Sequence, residues 1–238
     1  MSYEVIQQEQ FTVAEMAALI DHSLLVPYAS RSDLDRFIAD VFKYGFRVAC
    51  LNNCNTEYAV ERFAGTGVKI ATVTSFPFGA LTPEDKAGEI ENSIARGAGL
   101  VDVVMNIGAA KSGDWDLLYR DMATCAEAEH KHGIEIKVIL ECCYLTREEI
   151  VKSCQSAKKA GMDYVKASTG FGSGAAVLGD VKLMKDTVGT DMGVKAAGPI
   201  GDFVTAVAFL HAGAQRLGIR RGVEILQGCT DWDQYAGD

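Results

Sequence analysis

The chain reads as α/β, a single-domain (β/α)8 TIM barrel, and three observations point there. Eight short apolar, β-rich runs alternate with longer amphipathic stretches. The repeat is about 25–30 residues, the length of a βα unit. The first run, LIDHSLLVP, is followed by no glycine-rich turn, which an open doubly wound sheet usually carries, so the barrel is favoured over that alternative.

The runs are ALIDHSLL (18–25), RVACLN (47–52), KIATVTSF (69–76), LVDVVMN (100–106), EIKVILEC (135–142), YVKAS (164–168), GVKAAG (193–198) and RLGI (216–219). Between them lie stretches such as PEDKAGEIENSIARGAG (83–99) and TREEIVKSCQSAKKAGM (146–162). Both open on acid-rich turns and close on glycine, as capped helices do. One domain over 1–238 is expected, with a short N-terminal helix or arm (1–14) and a C-terminal tail (228–238).

The chain has 238 residues, 48% of them apolar and 23% charged. At this size it can bury a substantial core. A net charge of −9 argues against nucleic-acid binding, where a basic face is expected. No apolar run approaches the ~20 residues of a membrane span, and MSYEVIQQEQ lacks a signal-peptide apolar region. A cytoplasmic protein is the expectation. Seven cysteines, an odd number in a chain too long to need disulfide staples, read as free thiols. Cys50 and Cys54 have no second pair or histidine cluster to complete a zinc site, and no metal is expected.

In such a barrel the site lies at the C-terminal ends of the strands. Polar residues within the apolar runs are therefore the candidates. They are Asp21, Cys50, Asn52, Thr74, Ser75, Asp102, Asn106, Lys137, Glu141, Lys166, Ser168 and Lys195. Any one could be a satisfied buried polar group. Four charges recurring in separate strands are harder to explain as ion pairing alone. Lys166 and Lys195 lie on consecutive strands, expected to be about 4.8 Å apart. Burial and a like charge would both lower the pKa of one of them. A neutral lysine is an amine able to form a Schiff base with a carbonyl. Lys137 would add to the same field, and Asp102 would move protons or orient a water. This chemistry needs no metal or organic cofactor, and none is expected.

The matching stretches IDHSLL (20–25), VACLN (48–52), SFPFGA (75–80), VDVVMNIGAAKSGDWD (101–116), IKVILECCYL (136–145), YVKASTGF (164–171), GVKAAG (193–198), RLG (216–218) and GVEILQG (222–228) together resemble the deoxyribose-phosphate aldolases. The resemblance implies a class I aldolase joining acetaldehyde reversibly to glyceraldehyde 3-phosphate. It implies that Lys166 forms the Schiff base, that Lys195 perturbs it, that Asp102 relays protons and that Lys137 belongs to the network. Asp21, Ser23 and Leu25 match first-strand residues of the pocket, with Ser23 where threonine is usual. Cys50 matches a cysteine that in some members reacts with unsaturated aldehydes; a buried small hydrophobe is the even alternative. Tyr235 is a candidate for an active-site tyrosine by position only, an ordinary tail residue being the other reading. A homodimer is the family-level expectation.

Departures from the family fall in the expected phosphate pocket, in the loops after strands 6, 7 and 8. Gly198 is followed by Pro199, which has no N–H, where a second glycine is usual. Arg220 and Arg221 stand where a pair of serines is usual. Guanidinium binds phosphate or carboxylate with a bidentate fork, so a small-molecule aldehyde and an anionic sugar are still the expected substrates. Ser168 is a further substrate-binding candidate, and the stretch GFGSGAA (170–176) keeps Gly170 and adds glycines that let the loop wrap an anion, a flexible turn being the other reading. Three readings remain: cleavage of 2-deoxyribose 5-phosphate, the same chemistry on another anionic aldehyde or sugar, and a non-catalytic ligand-binding barrel.

Overall fold

The structure, a computed structural model, describes residues 3–198 and 200–236. Eight parallel strands close into a barrel in sequence order: β1 (Ile20–Leu24), β2 (Val48–Leu51), β3 (Lys69–Thr74), β4 (Leu100–Val104), β5 (Ile136–Ile139), β6 (Tyr164–Lys166), β7 (Gly193–Ala197) and β8 (Arg216–Ile219). All eight fall in the apolar runs. The run at 18–25 is shared, since Ala18 and Leu19 complete a helix before β1 begins.

That helix is α1 (Val13–Leu19). The others are α2 (Arg31–Tyr44), α3 (Thr56–Phe63), α4 (Pro83–Ala95), α5 (Ile107–Ser112), α6 (Trp115–His130), α7 (Arg147–Ala160), α8 (Leu178–Val188), α9 (Phe203–His211) and α10 (Gly222–Leu226). Local chemistry sets several boundaries. Thr12 with Glu15, Ser30 with Asp33, and Thr146 with Glu149 form capping boxes. Pro83 opens α4 behind the N-cap Thr82, and Gly161 ends α7 at φ +82°.

Alternation along the strands sorts the interior from the helix-facing side. Ala49, Leu51, Val101, Val103, Val138, Val165, Val194 and Leu217 join the large core against the helices. Inside the barrel, Val48, Cys50, Ala71, Val73 and Leu100 form a separate apolar cluster over β2–β4. The rest of the interior, over β4–β8 and β1, is filled by Asp102, Lys137, Tyr164, Lys166, Lys195, Arg216 and Asp21.

The described part of the arm, residues 3–12, is extended and closes the N-terminal end of the barrel. Tyr3 packs edge-on against Tyr164 with ring centroids 5.1 Å apart. Gln215 Nε2 donates to the Glu4 carbonyl at 2.9 Å, and Lys185 Nζ donates to the Tyr3 carbonyl. The tail carries one 3-10 turn, Trp232–Gln234, and Tyr235 packs on Tyr44 at the C-terminal end of α2. Tyr235 therefore lies on the outer layer and not at the strands' C-terminal ends. Among the described residues no helix is long and apolar enough to cross a membrane.

Glu129 on α6 is buried; its Oε1 accepts from Val101 N at 3.0 Å and its Oε2 has no hydrogen-bond partner among the described residues. Burial pushes its carboxyl up to about 9, with Lys137 offsetting part of that effect. A carboxyl raised on folding gives its full stabilisation below the unfolded value, 4.5, and loses it as pH climbs toward the folded value. Glu129→Gln should therefore stabilise the protein by about 2–3 kcal/mol at pH 7 and by much less at pH 4.5. Chemical denaturation at the two pH values checks this; equal gains would refute it.

Candidate active site

A cavity of about 370 Å³ opens at the C-terminal ends of the strands. Its floor is formed by Asp21, Ser23, Cys50, Lys166, Lys195 and Gly218. Leu25 and Val26 line one wall, and Thr169, Gly170 and Phe171 from the β6–α8 loop line another. Ala197, Gly198, Ile200 and Gly201 follow from β7, with Arg220 and Arg221 at the mouth after β8.

The lysines do not face one another as bare cations. Both donate to the same oxygen, Asp102 Oδ2, each at 2.7 Å. Asp102 lies behind them rather than on the cavity wall, and its Oδ1 has no hydrogen-bond partner among the described residues. Lys195 meets a second carboxylate, Asp21 Oδ2, at 2.6 Å. Asp21 Oδ1 in turn accepts from Arg216 Nε at 3.0 Å and from a second guanidinium nitrogen. The result is a chain of alternating sign: Arg216, Asp21, Lys195, Asp102, Lys166. Three cations against two carboxylates leave one positive charge in excess.

To the expected pair of neighbouring lysine charges the structure adds a carboxylate oxygen that both of them share. Burial alone would lower the Lys195 ammonium, but Asp102 and Asp21 outweigh it and hold it well above the ordinary lysine value. Burial alone would raise both carboxyls; for Asp21 the countering charges are Lys195, Arg216 and Lys137, and for Asp102 they are Lys166, Lys195 and Lys137. Both carboxyls end well below the usual carboxylate range. Lys195 is thus a fixed cation held by two anions. Lys166 touches only one, and it is the member of the chain that lines the cavity with a single carboxylate partner.

Lys137 is not on the cavity. Its register partner on β6 is Tyr164, two residues before Lys166, so it sits one interior layer lower. Its Nζ turns to Glu135 at 2.6 Å and to the Tyr164 ring at 5.1 Å. Ser168 also stays off the wall; its hydroxyl accepts from Gly170 N at 3.0 Å and shapes its own loop. Asn52 and Asn106 serve the backbone, one donating to Leu25 O and the other capping α5. Pro199 lies outside the described residues.

A family model described as DeoC/LacD family aldolase matches residues 16–228. The chain belongs to the DeoC/LacD family of aldolases. It is 47% identical over 213 residues to the deoxyribose-phosphate aldolase of Aciduliprofundum boonei, covering 90% of this chain and 96% of that one. The aldolase of the same name from Streptococcus sanguinis is 47% identical over 219 residues, covering 92% and 97%. Among solved structures, the tetrameric deoxyribose phosphate aldolase of Aeropyrum pernix superposes with a TM-score of 0.85 at 29% identity, covering 91% of each chain.

Several residues of this aldolase's site were not singled out in the sequence. Gly218 is one: a Cβ there would stand 2.9 Å from Lys195 Cε and 3.7 Å from Lys166 Cε. A glycine at an inward position of a strand was its signal. Arg216 is another, hidden because an arginine at a strand's first residue looks solvent-facing. Glu141, already a candidate from its strand run, adopts φ +55°, rare for a residue with a Cβ. Its carboxylate accepts the Thr169 N–H and hydroxyl, tying the β6–α8 loop down beside the cavity. Two bonds fix the end of β4 that carries Asp102: Lys86 Nζ donates to Val104 O at 2.8 Å and Asn106 N to Asp121 at 2.8 Å. Phe171 reaches the mouth and meets Phe76 edge-on at 5.4 Å.

The mouth arginines differ. Arg221 Nε donates to Glu224 Oε1 at 2.9 Å, whereas Arg220 has no carboxylate partner among the described residues. Cys50 is buried on the floor, and burial pushes its thiol up to about 11, with Asp102 adding to the effect. The thiolate is the reactive form. Iodoacetamide at pH 8 should therefore label exposed Cys54 well before Cys50, as read by peptide mass spectrometry. Faster labelling of Cys50 would show that the floor is far more open than described.

Proposed function

We propose that this aldolase is a class I enzyme cleaving 2-deoxy-D-ribose 5-phosphate to acetaldehyde and D-glyceraldehyde 3-phosphate through a Schiff base on Lys166. The relatives named for that activity match nearly the whole chain. One observation carries the mechanism: two lysines converge at 2.7 Å on one carboxylate oxygen beneath an open cavity.

The excess positive charge of the chain favours losing one proton, because the five groups then sum to zero. Lys195 is held by two carboxylates, so Lys166, with one carboxylate and a place on the cavity floor, is the lysine positioned to act as the amine nucleophile. Its free amine attacks the C1 carbonyl of the open-chain sugar. Loss of water from the carbinolamine gives a protonated imine. Removal of the C3 hydroxyl proton then breaks the C2–C3 bond, whose electron pair flows into the iminium to give an enamine. Glyceraldehyde 3-phosphate leaves, C2 is protonated, and hydrolysis of the imine frees acetaldehyde. Asp102, whose Oδ2 accepts from both lysine nitrogens, relays protons for these transfers by way of Lys195, which lines the cavity.

Arg220 and Arg221 support an anionic end on the substrate, held at the cavity mouth by guanidinium. They also support the second reading, the same bond cleavage on a different phosphorylated or carboxylated sugar. A cytoplasmic setting suits seven unpaired thiols, and the resemblance carries a homodimer, which light scattering would read.

Incubation with acetaldehyde and borohydride should leave an ethyl group on Lys166, and Lys166→Arg should abolish both adduct and turnover. A folded protein without that adduct has no Schiff-base chemistry. Arg220→Ser should raise KM for deoxyribose 5-phosphate roughly tenfold or more, the loss of a charged hydrogen bond, while leaving unphosphorylated deoxyribose unchanged. A lower KM after the substitution would favour the second reading.

A further inference from the structure

Arg216 lies outside the cavity lining, at the start of β8 on the opposite end of the barrel. Its guanidinium is nevertheless the far terminus of the charge chain that ends at Lys166. Nη1 donates to Ala18 O at 2.6 Å, the last turn of α1, and the other two nitrogens grip Asp21 Oδ1. Asp21 Oδ2 is thereby left to meet Lys195. Around the Arg216–Asp21 pair stand Glu135, Lys137 and Tyr164 from the β5 and β6 side, and Cys50, Asp102 and Lys195 above.

Resting on the Schiff-base reading, we propose that Arg216 is a positioning residue that sets the proton balance of the site. It supplies the third cation of the chain. With Arg216 present, the chain is neutral only when one lysine has lost its proton. Without it, two lysines and two carboxylates balance while both lysines are charged, and freeing the Lys166 amine would leave the buried chain with a net negative charge. Arg216 also fixes Asp21 on Lys195, so that the proton comes from Lys166 and not from its neighbour. The effect passes along contacts buried in the barrel, where added salt screens little.

The test is the rate of borohydride trapping of acetaldehyde on Lys166 as a function of pH, in four proteins. The acid limb should move to higher pH in Arg216→Met by roughly 0.5–1 unit, the scale of one nearby charge. It should move to lower pH in Asp21→Asn, which removes an anion. The double variant Arg216→Met with Asp21→Asn removes one charge of each sign and should return the limb close to its original place. Arg216→Lys, which keeps the charge, should leave it within about 0.2 unit. A residue that merely braced the fold would lower the melting temperature without this ordering. Unmoved limbs, or limbs that all move the same way, overturn the proposal. Where Arg216→Met does not fold, the double variant keeps the excess at one positive charge, as in the unsubstituted protein, and still decides: its limb must coincide with that of the unsubstituted protein and lie above that of Asp21→Asn. Absence of trapping in the unsubstituted protein would overturn the Schiff-base reading itself, which is a different result from normal trapping with a fixed limb.

Discussion

One carboxylate oxygen, Oδ2 of Asp102, receives two buried ammonium groups at 2.7 Å each. Much of the architecture exists to make that arrangement tolerable. An unpaired buried charge costs several kcal/mol, and removing one partner of a buried pair typically costs about 3–5 kcal/mol. The barrel meets this cost by extending the pair into a chain, with Asp21 backing Lys195 and Arg216 backing Asp21. Each carboxylate is then held ionised by more than one cation, and each position depends on the next. Gly218 belongs to the same arrangement, because a methyl group there would sit against both lysine side chains.

The barrel interior is consequently divided. Over β2–β4 it is packed with Val48, Cys50, Ala71, Val73 and Leu100, as an ordinary core would be. Over β4–β8 and β1 it is a polar column. The apolar half keeps water away from one side of the lysines and raises the strength of every interaction in the column. The same desolvation makes Cys50 a poor nucleophile although it lines the cavity. Function thus occupies about half of what would otherwise be hydrophobic core, and the outer layer of valine, leucine and isoleucine against the helices supplies the compensating burial.

The fold was legible because strand periodicity, capping and βα spacing are local signals. Eight apolar runs became eight strands, and capped stretches such as 147–160 became helices. The two lysines that line the cavity stood out for a different reason: ammonium groups in runs such as YVKAS have no apolar explanation. What stayed hidden depends on depth and sign. Lys137 and Lys166 look alike in sequence, and only the register, which sets Lys137 against Tyr164, shows that one lies a layer below the other. Repulsion between two lysines was the natural inference from neighbouring strands. The carboxylate between them comes from β4, two strands away from β6, and its reach could not be read from spacing. Likewise Arg220 and Arg221 look equivalent until Glu224 is seen to engage only one of them.

The extended arm at the opposite end gives this column a floor. Tyr3 lies across Tyr164, and the backbone of residues 3–8 is stitched to Lys185, His211 and Gln215. A barrel open at its base would admit solvent beside Lys137 and Arg216 and dilute the electric field that reaches the reacting amine. Residues 3–8 therefore act as an insulating stopper under the charged column, at the end of the barrel opposite the cavity.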